Sequence, residues 1–132
     1  GKLKYSHPLT LDEVAADWPD VQFVMCHFGN PFLADAAAVL EKNPNVCADL
    51  SGLLDGPVAL DAYFARQRAC VDQLRGWMEY VEDWSRFLFG TDFPGVDVAN
   101  YVEFIRRLVP EEHHHAVFFD NANRVYQLGL KA

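Results

Sequence analysis

Two apolar runs in this chain end on side chains that can do chemistry. Phe23-Val24-Met25-Cys26-His27-Phe28-Gly29 delivers a histidine, and Arg86-Phe87-Leu88-Phe89-Gly90-Thr91-Asp92-Phe93-Pro94 delivers an aspartate. An imidazole can bind a metal ion or stabilise charge developing on a substrate. A carboxylate can ligate the same ion or take a proton from a bound water. Gly90 permits close backbone approach beside Asp92, and Pro94-Gly95 turns the chain immediately. Each residue also has an ordinary reading. Asp92 suits a turn or a helix cap, and a lone His27 suits a core histidine bonded to a backbone carbonyl.

Asp49 and Ser51 end a further apolar run and are placed to line the same rim. Ser51, just before Gly52, reads chiefly as a turn residue. His113-His114-His115 is read as a solvated surface run, because three consecutive residues converge poorly on one ion. His7 is either delivered by a strand over Lys2–Ser6 or belongs to the lead-in to the first helix. Cys26, Cys47 and Cys70 form no CxxC pair, and as buried-looking thiols they fit a reducing cytoplasm rather than a disulfide framework. No phosphate loop, GxGxxG, GxSxG or HExxH is present, so a dinucleotide enzyme or a serine hydrolase has no support.

The elements that must carry these groups can be read in order. Thr10 and Glu13 form a capping box, and the helix they open stops at Trp18 before Pro19. Val21–His27 is the first strand, with Phe23, Met25 and His27 on one face and Val24 and Cys26 on the other. Asn30 caps the next helix, with Pro31 in its first turn, and that helix runs to about Lys42. Val46–Ser51 is the second strand. A turn at Gly52 and Gly56 leads to a long helical region, 58–83, which is two helices or one bent one. Phe87–Thr91 is the third strand. Asp97 caps a helix ended by Pro110, and Asn121–Leu128 is a last short helix stopped by Gly129. Strands separated by helices are parallel neighbours joined by right-handed crossovers, so the class is α/β. In such sheets ligand sites gather at the carboxyl ends of the strands. With one strand between them, His27 and Asp92 should share a rim, their Cα atoms roughly 10 Å apart.

A chain of 132 residues, 51% hydrophobic and 23% charged, can bury a core as one domain, residues 1–132. Its formal net charge of −8 repels phosphate backbones, which argues against a nucleic-acid partner. No apolar run approaches the roughly 20 residues of a membrane span. The first residues hold no stretch suited to a signal peptide, and Gly1 reads as a trimmed end.

Four segments in sequence carry a resemblance: His27-Phe28-Gly29; Asn45-Val46-Cys47-Ala48-Asp49-Leu50-Ser51-Gly52; Leu88-Phe89-Gly90-Thr91-Asp92-Phe93-Pro94; and Asp120-Asn121-Ala122-Asn123-Arg124-Val125-Tyr126. Together they resemble the C-terminal part of amidohydrolase-related proteins. These are TIM-barrel metal-dependent hydrolases whose relatives include aminocarboxymuconate-semialdehyde decarboxylase. The resemblance implies a C-terminal segment of a (β/α)8 barrel, with about three parallel strands and flanking helices. It implies a divalent metal, zinc by preference, in the complete enzyme. It makes His27 the sixth-strand histidine that faces substrate or the reacting water, and Asp92 the eighth-strand ligand and proton carrier. The HxH pair of the family has no counterpart in a strand here, and no fifth-strand histidine is present unless His7 serves. Two readings follow. One is the C-terminal part of a metal-dependent enzyme that hydrolyses or decarboxylates a small carboxylated substrate, inactive as this chain alone. The other is a non-catalytic, self-associating α/β module. Open sheet edges and an apolar face stripped of its missing strands imply a homo-oligomer, a dimer by preference.

Overall fold

The computed structural model describes residues 2–131. Three short strands, β1 (Phe23–Met25), β2 (Val46–Asp49) and β3 (Phe87–Leu88), form one parallel sheet in the order β1-β2-β3. The register pairs Phe23 with Val46, Met25 with Ala48, and Ala48 in turn with Phe87. Helix α1 (Leu9–Asp17) precedes the sheet, and α2 (Leu33–Lys42) joins β1 to β2. Helices α3 (Leu60–Arg66) and α4 (Arg68–Val81) join β2 to β3, and α5 (Val98–Leu108) follows. A π-helical turn, Ala116–Asp120, then runs into α6 (Asn121–Val125). This is the α/β class expected from the strand–helix alternation, with the three parallel strands that the resemblance to a partial barrel implies. Among the described residues no helix is long and apolar enough to cross a membrane.

The strands end earlier than the apolar runs do, for identifiable reasons. At the end of β1 the His27 N–H leaves the ladder and donates to the Asp49 carboxylate at 3.0 Å. At the end of β3 the Phe89 N–H turns away to the Val117 carbonyl at 2.9 Å. Two helix starts also differ from expectation. Thr10 lies inside α1, which Pro8 opens, and its hydroxyl donates back to the His7 carbonyl at 2.8 Å instead of forming a capping box. Asn30 does not cap α2. It is extended at φ −52° and ψ 131°, as a residue before proline must be, so the helix begins three residues later. By contrast Asp97 caps α5 as expected, accepting from the Asn100 N–H at 2.7 Å.

Alternation divides the sheet into two faces. Phe23, Met25, Val46, Ala48 and Phe87 face the helices, where most of them are buried with Leu40, Met78, Tyr101, Phe104 and Ile105 in one core. Phe28 and Phe87 meet edge to face there, with ring centroids 5.1 Å apart. Val24, Cys47, Asp49 and Leu88 occupy the opposite face. Cys47 and Leu88 are each 1% exposed, so at these positions the expected bare apolar face is covered. Helix α4 does not supply that cover; its Val71, Leu74 and Met78 belong to the helix-side core.

At the opposite end of the strands from the candidate site, side chains tie the elements together. The half-buried Arg86 guanidinium donates to the carbonyls of Leu40 (3.1 Å), Asn43 (2.6 Å) and Val46 (2.8 Å). It thereby satisfies the orphaned end of α2 and the start of β2 at once. Asn45 donates to the carbonyls of Ala15, Trp18 and Val21, holding α1 to the sheet. Buried Asn121 donates to Trp84 and Phe87, latching α6 to β3. Replacing Arg86 with Ala should lower stability by about 2–4 kcal/mol, since three inward carbonyls lose a charged donor. Arg86→Lys should recover only part of that, because an ammonium lacks the planar fork. Denaturant midpoints at unchanged slope would measure both.

Candidate functional site

The carboxyl ends of β1 and β2 are joined through side chains. After Met25 the chain makes a left-handed turn: φ is +60° at His27, +45° at Phe28 and +63° at Gly29. An aromatic residue is rarely found there. The turn is held by Asp49 through the His27 N–H and by Phe28, which is fully buried. Gly29 is required because a Cβ at that position would lie 2.8 Å from Ala36 Cβ and 2.9 Å from Pro8 Cγ. His27 is therefore a turn residue and not the last residue of a strand. Its face is set by the turn and not by alternation with Phe23 and Met25.

Asp49 Oδ1 accepts three hydrogen bonds: from the His27 N–H (3.0 Å), the Ser51 N–H (3.0 Å) and the Ser51 hydroxyl (2.5 Å). The His27 imidazole presents Nδ1 to Ser51, 3.0 Å from its carbonyl oxygen and 2.9 Å from its Oγ. Two glycines make room for this. A Cβ on Gly52 would lie 2.5 Å from His27 Nδ1, and one on Gly90 would lie 3.2 Å from Ser51 Cβ. Ser51 is thus more than a turn residue: it is buried and bonded to both Asp49 and His27. The signal for it was present in the sequence as an aspartate followed two residues later by serine, a spacing that favours local side-chain bonding.

Asp92 sits one strand further on, exposed, in a tight turn of its own with φ +64°. Its carbonyl accepts from the Gly95 N–H at 3.3 Å. Its charge reaches the β1 end. The Cys26 thiol is held above its ordinary pKa first by burial, then by the charge of Asp49 and a hydrogen bond to it, and also by the charge of Asp92. The Tyr126 phenol is raised by partial burial and then by the charges of Asp49, Cys26 and Cys47. Cys26 and Cys70 are exposed and only Cys47 is buried, which corrects the reading of all three as interior thiols.

Tyr101 fixes the loop that carries Ser51 and Gly52. Its hydroxyl donates to the Leu50 carbonyl (2.5 Å) and accepts from the Leu53 N–H (3.0 Å). Asn100 completes the clamp by exchanging two bonds with the Val58 backbone, each 3.0 Å. The other histidines stand apart. His7 belongs to the lead-in turn and not to a strand. Its Nδ1 accepts from the Leu9 N–H (3.3 Å), its Nε2 lies 3.6 Å from Asp35, and its ring packs on Phe32. His7 and His27 nevertheless line one cleft of about 360 Å³. The 113–115 run is not simply solvated. His113 stacks on Trp84, His114 Nε2 donates to the Arg106 and Val109 carbonyls, and His115 bonds Asp120.

Among the described residues no group of three or more His, Cys, Asp or Glu converges closely enough to hold a metal ion. A catalytic zinc generally takes three protein ligands and a water. Even with His27 and Asp92 both counted, that number is not reached among the described residues, so the residues present do not fit a complete metal centre.

The amidohydrolase family model matches residues 2–128. The chain belongs to the amidohydrolase family. No curated protein matches it. Among solved structures it is similar to an uncharacterised TIM-barrel protein from Bordetella bronchiseptica, with TM-score 0.68 and 23% identity, over 96% of this chain and 41% of that one. It is also similar to an amidohydrolase from Burkholderia multivorans with bound zinc, with TM-score 0.65 and 20% identity, over 91% of this chain and 49% of that one. A second structure of the same Burkholderia amidohydrolase, with bound HEPES, gives TM-score 0.64 at 19% identity. The chain therefore spans less than half the length of these TIM-barrel structures.

Two outcomes test this geometry. Gly52→Ala adds a Cβ against the imidazole at φ +61°, whereas Gly56→Ala adds one into open space at φ +63°. Gly56→Ala should cost about 1 kcal/mol of backbone strain. Gly52→Ala should cost about 1–3 kcal/mol more and displace the His27 ring signals, both read by denaturation and NMR. The second outcome concerns pH. Burial raises the Tyr101 phenol far above its ordinary range, so folding favours the neutral form. That stability is fully present below about pH 10 and is lost as pH rises beyond it. Alkaline titration of the unfolding midpoint should show this fall, and Tyr101→Phe should flatten it.

Proposed function

We propose that this chain supplies the His27–Asp92 rim of an amidohydrolase-type site that hydrolyses or decarboxylates a small carboxylated substrate. The observation that carries the reading is the state of His27. Ser51 occupies Nδ1, which leaves Nε2 as the ring nitrogen free to meet substrate, water or metal. Asp92 lies across one intervening strand, with its carboxylate exposed. On this reading Asp92 takes the proton of the attacking water, and His27 Nε2 accepts a hydrogen bond from that water or from a substrate hydroxyl. Zinc in the Burkholderia amidohydrolase supports a divalent metal in the complete site. The remaining ligands lie beyond those this chain offers, and activity requires them.

A second reading, a self-associating module without catalysis, draws support from the sheet edges. Among the described residues β1 and β3 each pair with β2 alone. Light scattering on a sizing column separates the two states, since a dimer would run at twice the 15.0 kDa chain mass.

Zinc titration tests the rim directly. After chelation and reconstitution, the chain should hold zinc weakly and below one equivalent. That residual binding should vanish in Asp92→Ala and in His27→Ala. It should survive His113→Gln with His115→Gln, which spares the structural His114. Binding that ignores Asp92 and His27 would overturn the assignment.

A further inference from the structure

The hydrogen bonds around His27 specify more than its position. We propose that Asp49 and Ser51 are positioning residues that lock the His27 imidazole in the tautomer with its proton on Nδ1, so that Nε2 carries the lone pair. The proposal deepens the reading of His27 as a site residue and rests on it for its functional meaning.

The argument is one of donors and acceptors. The Ser51 carbonyl oxygen, 3.0 Å from Nδ1, can only accept, so Nδ1 must donate to it. The Ser51 hydroxyl leads to the same conclusion by another route. Its Oγ lies 2.5 Å from Asp49 Oδ1, and an ionised carboxylate only accepts. The hydroxyl proton therefore points to Asp49, and the oxygen turns a lone pair towards Nδ1 at 2.9 Å. In the opposite tautomer Nδ1 would face the carbonyl lone pair to lone pair, and Ser51 would have one proton to share between Nδ1 and Asp49. Both partners of Nδ1 thus select the same state.

The arrangement also fixes where the ring can point. Asp49 Oδ1, which orients the Ser51 hydroxyl, also accepts the His27 backbone N–H at 3.0 Å. One carboxylate therefore sets the backbone turn and, through Ser51, the tautomer. Gly52 lies flat against the ring, since a Cβ there would fall 2.5 Å from Nδ1, 2.7 Å from Cε1 and 3.0 Å from Cγ. A histidine that binds metal or accepts a proton through one nitrogen needs the other held as a donor, and partners of this kind are what hold it. The order along the hydrogen bonds is informative. Serine stands between aspartate and histidine, so Ser51 Oγ is occupied at both ends and is not arranged as a nucleophile activated by His27.

Nitrogen-15 NMR of the uniformly labelled chain, at a pH where imidazoles are neutral, reads the tautomer directly. For His27 in the wild type, Nδ1 should give a protonated, pyrrole-type signal and Nε2 an unprotonated, pyridine-type one. Asp49→Ala is the decisive variant. It removes the acceptor of the Ser51 hydroxyl proton, which is then free to turn towards Nδ1. The ratio of the two tautomers should then move at least about tenfold towards the Nε2-protonated form. Ser51→Ala leaves the carbonyl acceptor in place, so the Nδ1-protonated form should persist as the majority with a smaller margin. Should Asp49→Ala fail to fold, the wild type and Ser51→Ala still decide the matter. A wild-type His27 with its proton mainly on Nε2, or Asp49→Ala folded with an unchanged ratio, would overturn the proposal. The outcome is independent of zinc titration: loss of the metal reading would leave these signals as they are, and the reverse tautomer would leave the Asp92 dependence of zinc binding intact.

Discussion

Everything at the candidate site depends on the chain leaving β1 in a left-handed turn. Three successive residues, His27, Phe28 and Gly29, have φ between +45° and +63°. For the two that carry a Cβ this costs about 1–2 kcal/mol each. Such a segment persists only where its surroundings over-determine it. Here the surroundings do so from three sides. Asp49 takes the His27 N–H, the Phe28 ring is driven into the core against Phe87, and Gly29 seats against Pro8 and Ala36. A strand continued through His27 would direct the imidazole by alternation alone. The turn instead brings it over Gly52, where Ser51 can bond it.

Two ends of one sheet perform different tasks. At the amino ends of the strands, amide and guanidinium side chains satisfy backbone carbonyls: Asn45 for α1, Arg86 for α2 and β2, and Asn121 for β3. These groups are spent on holding helices to strands. At the carboxyl ends the polar groups bond one another, and among the described residues His27 Nε2 and the Asp92 carboxylate make no hydrogen bond. Catalytic sites of barrel enzymes lie at this second end. Helix α5 bridges the two tasks, because its first turn, through Asn100 and Tyr101, holds the loop that supplies Ser51 and Gly52.

Much of the fold was legible in the sequence because it rests on local signals. Asp97 before an amphipathic run marks a helix start, and the structure uses it so. Apolar runs separated by helices imply parallel strands, as observed, and Gly52 and Gly56 imply a turn, where the structure gives both positive φ. The strand ends were not legible. Phe23–Cys26 is apolar up to the histidine, and nothing local says that Asp49, 22 residues away, will capture the His27 N–H. The same limit hid the work of the 113–115 histidines, whose partners Trp84, Arg106 and Val109 come from other elements. Asn43 and Asn45, beside Pro44 just past the end of α2, latch that end to α1 through their amides, and those partners are equally remote in sequence. His27 and Asp92 were visible as candidates because residue type and position at a run's end are local properties. Ser51 was visible only as a turn residue because its bond to His27 is not.

The partial barrel explains why the site reads as a half. A closed barrel encloses one face of its sheet and removes its edges. Here three strands bring one histidine and one aspartate to the rim, each from its own strand end. Catalytic residues in barrels come from the ends of several different strands, so the number of strands limits the number of ligands. The Cys26 thiol at the end of β1 is raised first by burial and then by the charges of Asp49 and Asp92, so the carboxylates of two different strand ends act on one point of the rim.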